Sequence, residues 1–229
     1  MTIPTVFIGI DERHLVAGMV LISSLIRRQS RPTAIVPLFR TQLGIERVGL
    51  TGFTYARYLV PQLMNYEGRA LFLDSDMIAL DDICRLFDTP PEGSVHVVTE
   101  QPRFEWPSLM LFNCAECKQL TEEVVLKGKP QDFSWASCVT PLPARWNVCV
   151  GHTWHEQPAV IHYTSGIPWF PELRNCDYAE EWWNEYHAMS LSVSWMELMG
   201  QSVHVPYVEK LLQEKREPNG FMDGKNDQD

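Results

Sequence analysis

Two aspartates two positions apart, Asp74 and Asp76 in LFLDSDM, are the residues of this 229-residue chain best placed by type and spacing to do chemistry. An apolar, extended segment delivers them, so both side chains project to one side with only the small Ser75 between them. Carboxylates this close repel and raise each other's pKa unless a cation neutralises them, and a divalent ion is the economical explanation. A helix cap or a solvated acidic turn is the competing one. His162 adds a third candidate ligand, at the end of the apolar run AVIHY and before the turn TSGIPW. Alone it reads as a structural histidine; with the acids it reads as a ligand, all three groups being expected on the same edge of a parallel sheet. Two carboxylates and an imidazole fill half an octahedron and leave positions for phosphate oxygens, which suits Mn²⁺ or Mg²⁺, the imidazole favouring Mn²⁺.

The elements that must position these groups follow from periodicity. PTVFIGI (4–10) reads as a buried strand, HLVAGMVLISSLIRR (14–28) as a helix, TAIVPLF (33–39) as a second buried strand, and TYARYLVPQLMNY (54–66) as a helix kinked at Pro61. RALFLDSDMIAL (69–80) brings Asp74 to a strand's carboxyl end, and DDICRLF (81–87) reads as a short helix capped by Asp81 or Asp82. SVHVVT (94–99), SLMLFN (108–113) and PAVIHYT (158–164) read as further strands, and CAECKQLTEEVVLKG (114–128) as a helix. The pattern predicts an α/β fold: one mainly parallel, mixed sheet flanked by helices, with ligands at the carboxyl ends of its strands. Two or three surface helices are expected between 179 and 216.

Hydrophobic residues make up 45% of the chain and charged residues 21%, which fits a single globular domain, expected over 1–215, and excludes wholesale disorder. The polar, turn-rich end, 216–229, is expected to be a disordered tail. Net charge is −10, of which residues 1–100, with nine Arg and eleven acids, carry only −2. That balance argues against nucleic acid or an anionic membrane as partner, and Arg27, Arg28, Arg31 and Arg40 read as solvated surface. No apolar run approaches the roughly 20 residues that cross a bilayer, and the opening MTIPTVFIGIDERH has no signal-peptide pattern, so a cytoplasmic location is expected. Of the six cysteines only Cys114 and Cys117 are close; without a second ligand pair they read as buried residues of a helix turn rather than a zinc or redox motif.

VFIGID (6–11), TYARYLVPQL (54–63), ALFLDSDM (70–77), LMLFNC (109–114), RWN (145–147) and IHYTSGIPW (161–169) together resemble the family 8 glycosyltransferases and their bacterial and phage relatives, which have the Rossmann-like GT-A fold. The resemblance runs over residues 3–170, and its most specific part is the D-x-D after a strand combined with the late H-x-x-x-G-x-P-W. It implies that Asp74, Asp76 and His162 hold Mn²⁺ on the diphosphate of a nucleotide-sugar donor, a UDP-sugar being favoured. By the same resemblance Ile8, Asp11, Arg57, Ser75, Asn113, Gly166 and Trp169 bind the donor: Asp11 at the base or ribose, Ser75 beside the ribose, and Arg57 and Asn113 near the sugar. Gln131 and Asp132 are candidates for the acid and amide near the sugar, a solvated loop being the other reading. Ile167 stands where the family carries a diphosphate-binding lysine, which leaves Arg57, Arg103 or Arg145 to neutralise charge.

The implied reaction is transfer with retention of anomeric configuration to a hydroxyl acceptor, in which the dication neutralises the leaving diphosphate. The late aromatics WFPEL (169–173) and EEWWNEYH (180–187) could stack on a sugar; of the adjacent Trp182 and Trp183, one at most is expected to face a site. A glycan acceptor is the default, and a modified base of phage DNA the second possibility. Two rivals remain at this level. A phosphatase of the haloacid-dehalogenase type also carries hhhhDxDx, though on its first strand, whereas about 70 residues precede the motif here. The other is a nucleotide-sugar-binding protein without turnover.

Overall fold

β-Branched, alternating residues make TVFIG the first strand, β1 (Thr5–Gly9), whose Val6 and Ile8 face one side and Phe7 the other. The computed structural model describes residues 3–216 apart from Val48, Leu50, Ser192 and Gln201, so the tail expected at the C-terminus lies, from residue 217, outside the described residues. Helix α1 (Leu15–Arg28) follows, and its buried positions Ala17, Val20, Leu21, Ser24 and Leu25 form the single stripe that a surface helix turns to a core. Then come β2 (Ala34–Leu38), a 3₁₀ turn over Ala56–Leu59 running into α2 (Val60–Leu63), and β3 (Arg69–Asp74). Pro61 sits in the first turn of α2, where its missing N–H costs nothing, so the kink expected there is a change of helix type.

The expected single run 69–80 is divided. After Asp74 the chain turns through Ser75 and Asp76 and starts β4 (Met77–Ala79) in another sheet. Asp82 then caps the 3₁₀ turn Ile83–Asp88 by accepting from Cys84 N at 3.0 Å. The remaining strands are β5 (Val95–Val97), β6 (Leu109–Asn113), β7 (Val139–Pro141), β8 (Val148–Cys149) and β9 (Val160–His162).

The larger sheet has the order β2-β1-β3-β6-β5-β7. β1 is parallel to β2 and β3, β5 is parallel to β7, and β6 alone runs the other way, which is the mainly parallel mixed sheet that the sequence predicts. The smaller sheet has the order β4-β9-β8. His162 therefore does not stand on the parallel sheet as expected: β9 pairs antiparallel with β4, Met77 opposite His162. Alternation along both strands sends Met77, Ala79 and Val160 into the core shared with β1 and β3, and Ile78 and Ile161 toward α1. Ser24 ties α1 to this sheet, its hydroxyl accepting from Ala79 N at 3.0 Å and donating to Leu21 O at 2.7 Å.

The helix expected over 114–128 is also broken, into a 3₁₀ turn at Cys114–Glu116 and α3 (Glu122–Lys127). The hydroxyl of Thr121 accepts from Val124 N and starts α3 afresh. Cys114 and Cys117 are buried free thiols, the latter donating to the carbonyls of Ser94 and Asn113 at 3.2 Å. α4 (Ala179–Ser190) closes the core with Trp182, which is fully buried against Tyr163 and Ile167. Its Glu185 pairs with Arg27 and with Arg28, so these two arginines are not the free surface charges expected.

The chain divides into two compact units, Met1–Met189 with both sheets and Ser190–Asp229. The described part of the second holds α5 (Trp195–Met199) and α6 (Val205–Arg216). α5 begins with a reciprocal cap, Ser194 N donating to Glu197 Oε2 and Glu197 N to Ser194 Oγ. Among the described residues no helix is long and apolar enough to cross a membrane.

Candidate active site

The step from one sheet to the other builds the site. β3 ends at Asp74 beside Gly9 of β1, and the β4–β9 pairing sets His162 against Asp76, with Tyr163 N donating to Asp76 O at 2.9 Å. One ligand atom each from Asp74, Asp76 and His162 lies within 4.8 Å of the others. His162 Nε2 is 3.3 Å from Asp76 Oδ1, and its Nδ1 is 3.5 Å from Glu105 Oε2 and 3.8 Å from Cys149 Sγ. Arg57 supplies the cation, its Nη2 3.0 Å from Asp74 Oδ1 and 3.3 Å from Oδ2. The guanidinium is itself held over the rings of Phe72 and Phe53, 5.1 and 5.5 Å from their centroids. Gly9 makes room for this, since a Cβ there would lie 2.6 Å from the Phe53 ring.

Asp74 and His162 are both buried. Burial pushes the Asp74 carboxyl up to about 7, aided by Asp76 and opposed by Arg57. For His162 burial acts downward, but the charge and hydrogen bond of Asp76 outweigh it and raise the imidazole well above its ordinary value. Asp74 Oδ1 and Asp76 Oδ1 are buried, their near neighbours being Arg57 Nη2 at 3.0 Å and His162 Nε2 at 3.3 Å, each without the geometry of a full hydrogen bond. Buried acceptors in that state require an explanation, and a cation between them supplies one. The donor set of two carboxylates and an imidazole therefore fits the Mn²⁺ or Mg²⁺ expected from sequence.

These groups line a cleft of about 180 Å³ whose walls include Thr51, Thr54, Tyr58, Phe104, Glu105, Ser108, Gln131 and Thr164. Thr51 also lines an adjoining cleft of about 360 Å³ with Asp11, Glu12, Arg13, Arg40 and Thr41. There Arg13 grips Asp11, Nη2 to Oδ2 at 2.6 Å, and holds that carboxyl down to about 2. The other positions expected from sequence separate. Gln131 faces the first cleft, whereas Asp132 is exposed and accepts from Ser134 N at 2.8 Å, so the acid of that guessed pair is not at the site. Ile8 is fully buried in the core and Ser75 is buried between the two acids. Gly166 takes φ +118 in the turn after β9, its N–H donating to Tyr163 O at 2.8 Å. Trp169 packs on Tyr186 at 5.3 Å in an aromatic group with Trp182 and Trp183 and is not among the residues that line the first cleft. Ile167 is fully buried, Arg145 is engaged with Asp81 at 2.8 Å, and Arg103 donates to Asp132 O, which leaves Arg57 as the cation at the acids.

Asn113 requires a correction. β6 is antiparallel to β3, with Asn113 opposite Arg69 and Leu109 opposite Leu73. Asn113 thus ends the strand at the sheet edge remote from Asp74, about 16 Å along β3 at the usual rise per residue. The same reversal brings the other end of β6, with Glu105 and Ser108 just before it, to the cleft. Sequence reading missed both, because the direction of a strand leaves no mark in its periodicity.

The fold is the GT-A fold of glycosyltransferases: the bifunctional glycosyltransferase WbbM superimposes with a TM-score of 0.63 at 21% identity, over 86% of this chain and 51% of that one. In sequence the chain belongs to the family of protein CDI of Arabidopsis thaliana, to which it is 33% identical over 79% of its own length and 85% of the relative's. The glycosyltransferase GlyB of Streptococcus pneumoniae is similar at 27% identity, over 57% of this chain and 41% of GlyB. The chain thus spans about half of WbbM and less than half of GlyB. No protein-family model matches the chain.

Proposed function

We propose that the chain is a Mn²⁺-dependent glycosyltransferase that takes a sugar from a UDP-sugar, with retention of configuration, and passes it to a hydroxyl of a glycan, Mg²⁺ serving as a substitute ion. The observation that carries this reading is the convergence of Asp74, Asp76 and His162 at one point, with a buried oxygen of each carboxylate turned to the others and held by no hydrogen bond of full geometry. A cation held there would neutralise charge developing on the leaving diphosphate. The transferase module is taken as residues 1–215.

The chain's own residues supply the rest. Arg57 adds a fixed positive charge beside Asp74, in a low-dielectric setting where it acts strongly on a phosphate. Asp11, freed from Arg13 by rotation of that exposed arginine, offers two acceptors to ribose hydroxyls in the adjoining cleft. Gln131 on the cleft wall offers an amide to the sugar. The glycosyltransferase relatives support this chemistry over the phosphatase reading of the acid pair.

A panel of UDP-, GDP-, ADP- and CMP-sugars, with and without Mn²⁺, tests the reading by binding and slow donor hydrolysis. Saturable, Mn²⁺-dependent release of UDP is expected, with Asp76→Ala losing at least about 100-fold in metal-dependent turnover. Absence of nucleotide-sugar binding under every condition would overturn the reading. Binding with no hydrolysis and no transfer would favour a silent binding protein. Proton NMR of the product tests retention, and an inverted anomer would exclude it.

A further inference from the structure

A carboxylate lies near each ring nitrogen of His162, Asp76 Oδ1 3.3 Å from Nε2 and Glu105 Oε2 3.5 Å from Nδ1, with Cys149 Sγ also 3.8 Å from Nδ1. A neutral imidazole has one N–H and one lone pair. Nε2 beside Asp76 can therefore receive a cation only when the proton resides on Nδ1. We propose that Glu105 is a positioning residue that holds the proton on His162 Nδ1 and so aims the Nε2 lone pair at the cation site. The proposal rests on the metal-dependent reading above.

The placement of Glu105 is itself built. It lies in the 3₁₀ turn Arg103–Ser108, where Ser108 Oγ donates to Glu105 O at 2.6 Å and accepts from Asn147 Nδ2 at 2.9 Å. Asn147 is fully buried, and its carbonyl accepts from the amide of Gln101. Thr153 Oγ1 donates to Gln101 Oε1 at 3.1 Å and accepts from Cys149 N at 3.0 Å. Cys149 in turn lies opposite His162 in the β8–β9 register. One run of hydrogen bonds thus joins the backbone of the loop bearing Glu105 to the strand bearing His162, which sets the distance that the carboxylate has to span.

A competing role exists for the same atoms. Glu105, Cys149 and His162 also present ligand atoms within 4.8 Å of one another, a softer set that would suit a thiophilic ion. A neutral ring cannot serve a cation on each nitrogen, so the Nδ1 side either orients the ring or binds metal.

Three measurements on the full chain decide between them: Mn²⁺ titration followed by electron paramagnetic resonance, pulsed detection of ¹⁴N coupling to the bound Mn²⁺, and the near-ultraviolet spectrum with Co²⁺. Glu105→Ala is expected to weaken Mn²⁺ binding about 10- to 100-fold and to diminish the nitrogen coupling. Glu105→Gln, whose amide oxygen still accepts from Nδ1–H, should recover most of both, a rescue that general damage to the fold would not give. Should the alanine variant not fold, Glu105→Met fills the same space without an acceptor. Wild-type affinity and coupling in Glu105→Ala, alongside loss of binding in Asp76→Ala, would overturn the positioning role and leave the metal site standing. A thiolate-to-cobalt charge-transfer band would also overturn it, by making the Nδ1 side a ligand set. If Asp76→Ala binds Mn²⁺ as the native chain does, the metal reading itself fails, and the role of Glu105 with it.

Discussion

At the residue scale the site is a contest between burial and neighbouring charge, and pH exposes it. Asp74 is raised to about 7 from 3.8, and His162 is raised well above 6.5, so the folded chain binds more protons than the unfolded chain across neutral pH. Stability contributed by these groups is therefore greatest in acid and is lost as pH climbs through the folded pKa values. Asp11, held down to about 2, has the opposite sign, and its contribution is lost only as pH falls from about 4 toward 2. The melting temperature of the metal-free protein is expected to fall between about pH 5 and about pH 8, with Mn²⁺ restoring more at the upper end, where its ligands are deprotonated. A metal-free melting temperature that climbs over that range would contradict this account of the pair. Arg57→Gln removes the group that lowers the Asp74 pKa and should shift the pH midpoint of Mn²⁺ binding upward, read by the same titration. Asp74, Asp76 and His162 stand out in sequence because each adjoins a periodic apolar segment, whereas Arg57 is singled out only by the family resemblance. Glu105 lies in the loop RFEWPS, which has no period, and only the folded chain brings it to His162.

At the element scale most strands and the first helix follow from alternation and helical spacing, since β1 and α1 bury the faces that their patterns predict, whereas β2, expected to be buried, is an edge strand that fully buries only Leu38. What the pattern could not convey is which sheet a short strand joins. β4 and β9, three residues each, have no more periodicity than the ends of longer strands, yet their pairing carries the ligand geometry. The adjacent tryptophans of α4 show how little the composition of an aromatic run settles. Trp182 is fully buried and Trp183 only partly, so neither needs a sugar to account for its presence. Trp182→Ala should cost about 3–5 kcal/mol in urea denaturation, by loss of contacts and the cavity left behind, while Trp183→Ala should cost distinctly less.

At the scale of the whole molecule the charge of −10 sets what can approach. Duplex DNA should not be retained by the protein in a gel-shift assay near physiological salt; retention there would revive the modified-base acceptor, since backbone contacts dominate such affinity. The position of the two sheets has a further consequence, best put as parity. Side chains on a strand alternate with period two, so a shift by one residue in β4 or β9 sends every one of them to the opposite face. Loss of Val160 or of Ile161 would move His162 into the position now held by Ile161 and turn it from the acids, whereas loss of both would put it where Val160 is, back on its original face. Read along the gene, Mn²⁺ retention should be absent when either of these two codons is deleted and partly present when both are, a signature that simple loss of stability does not produce.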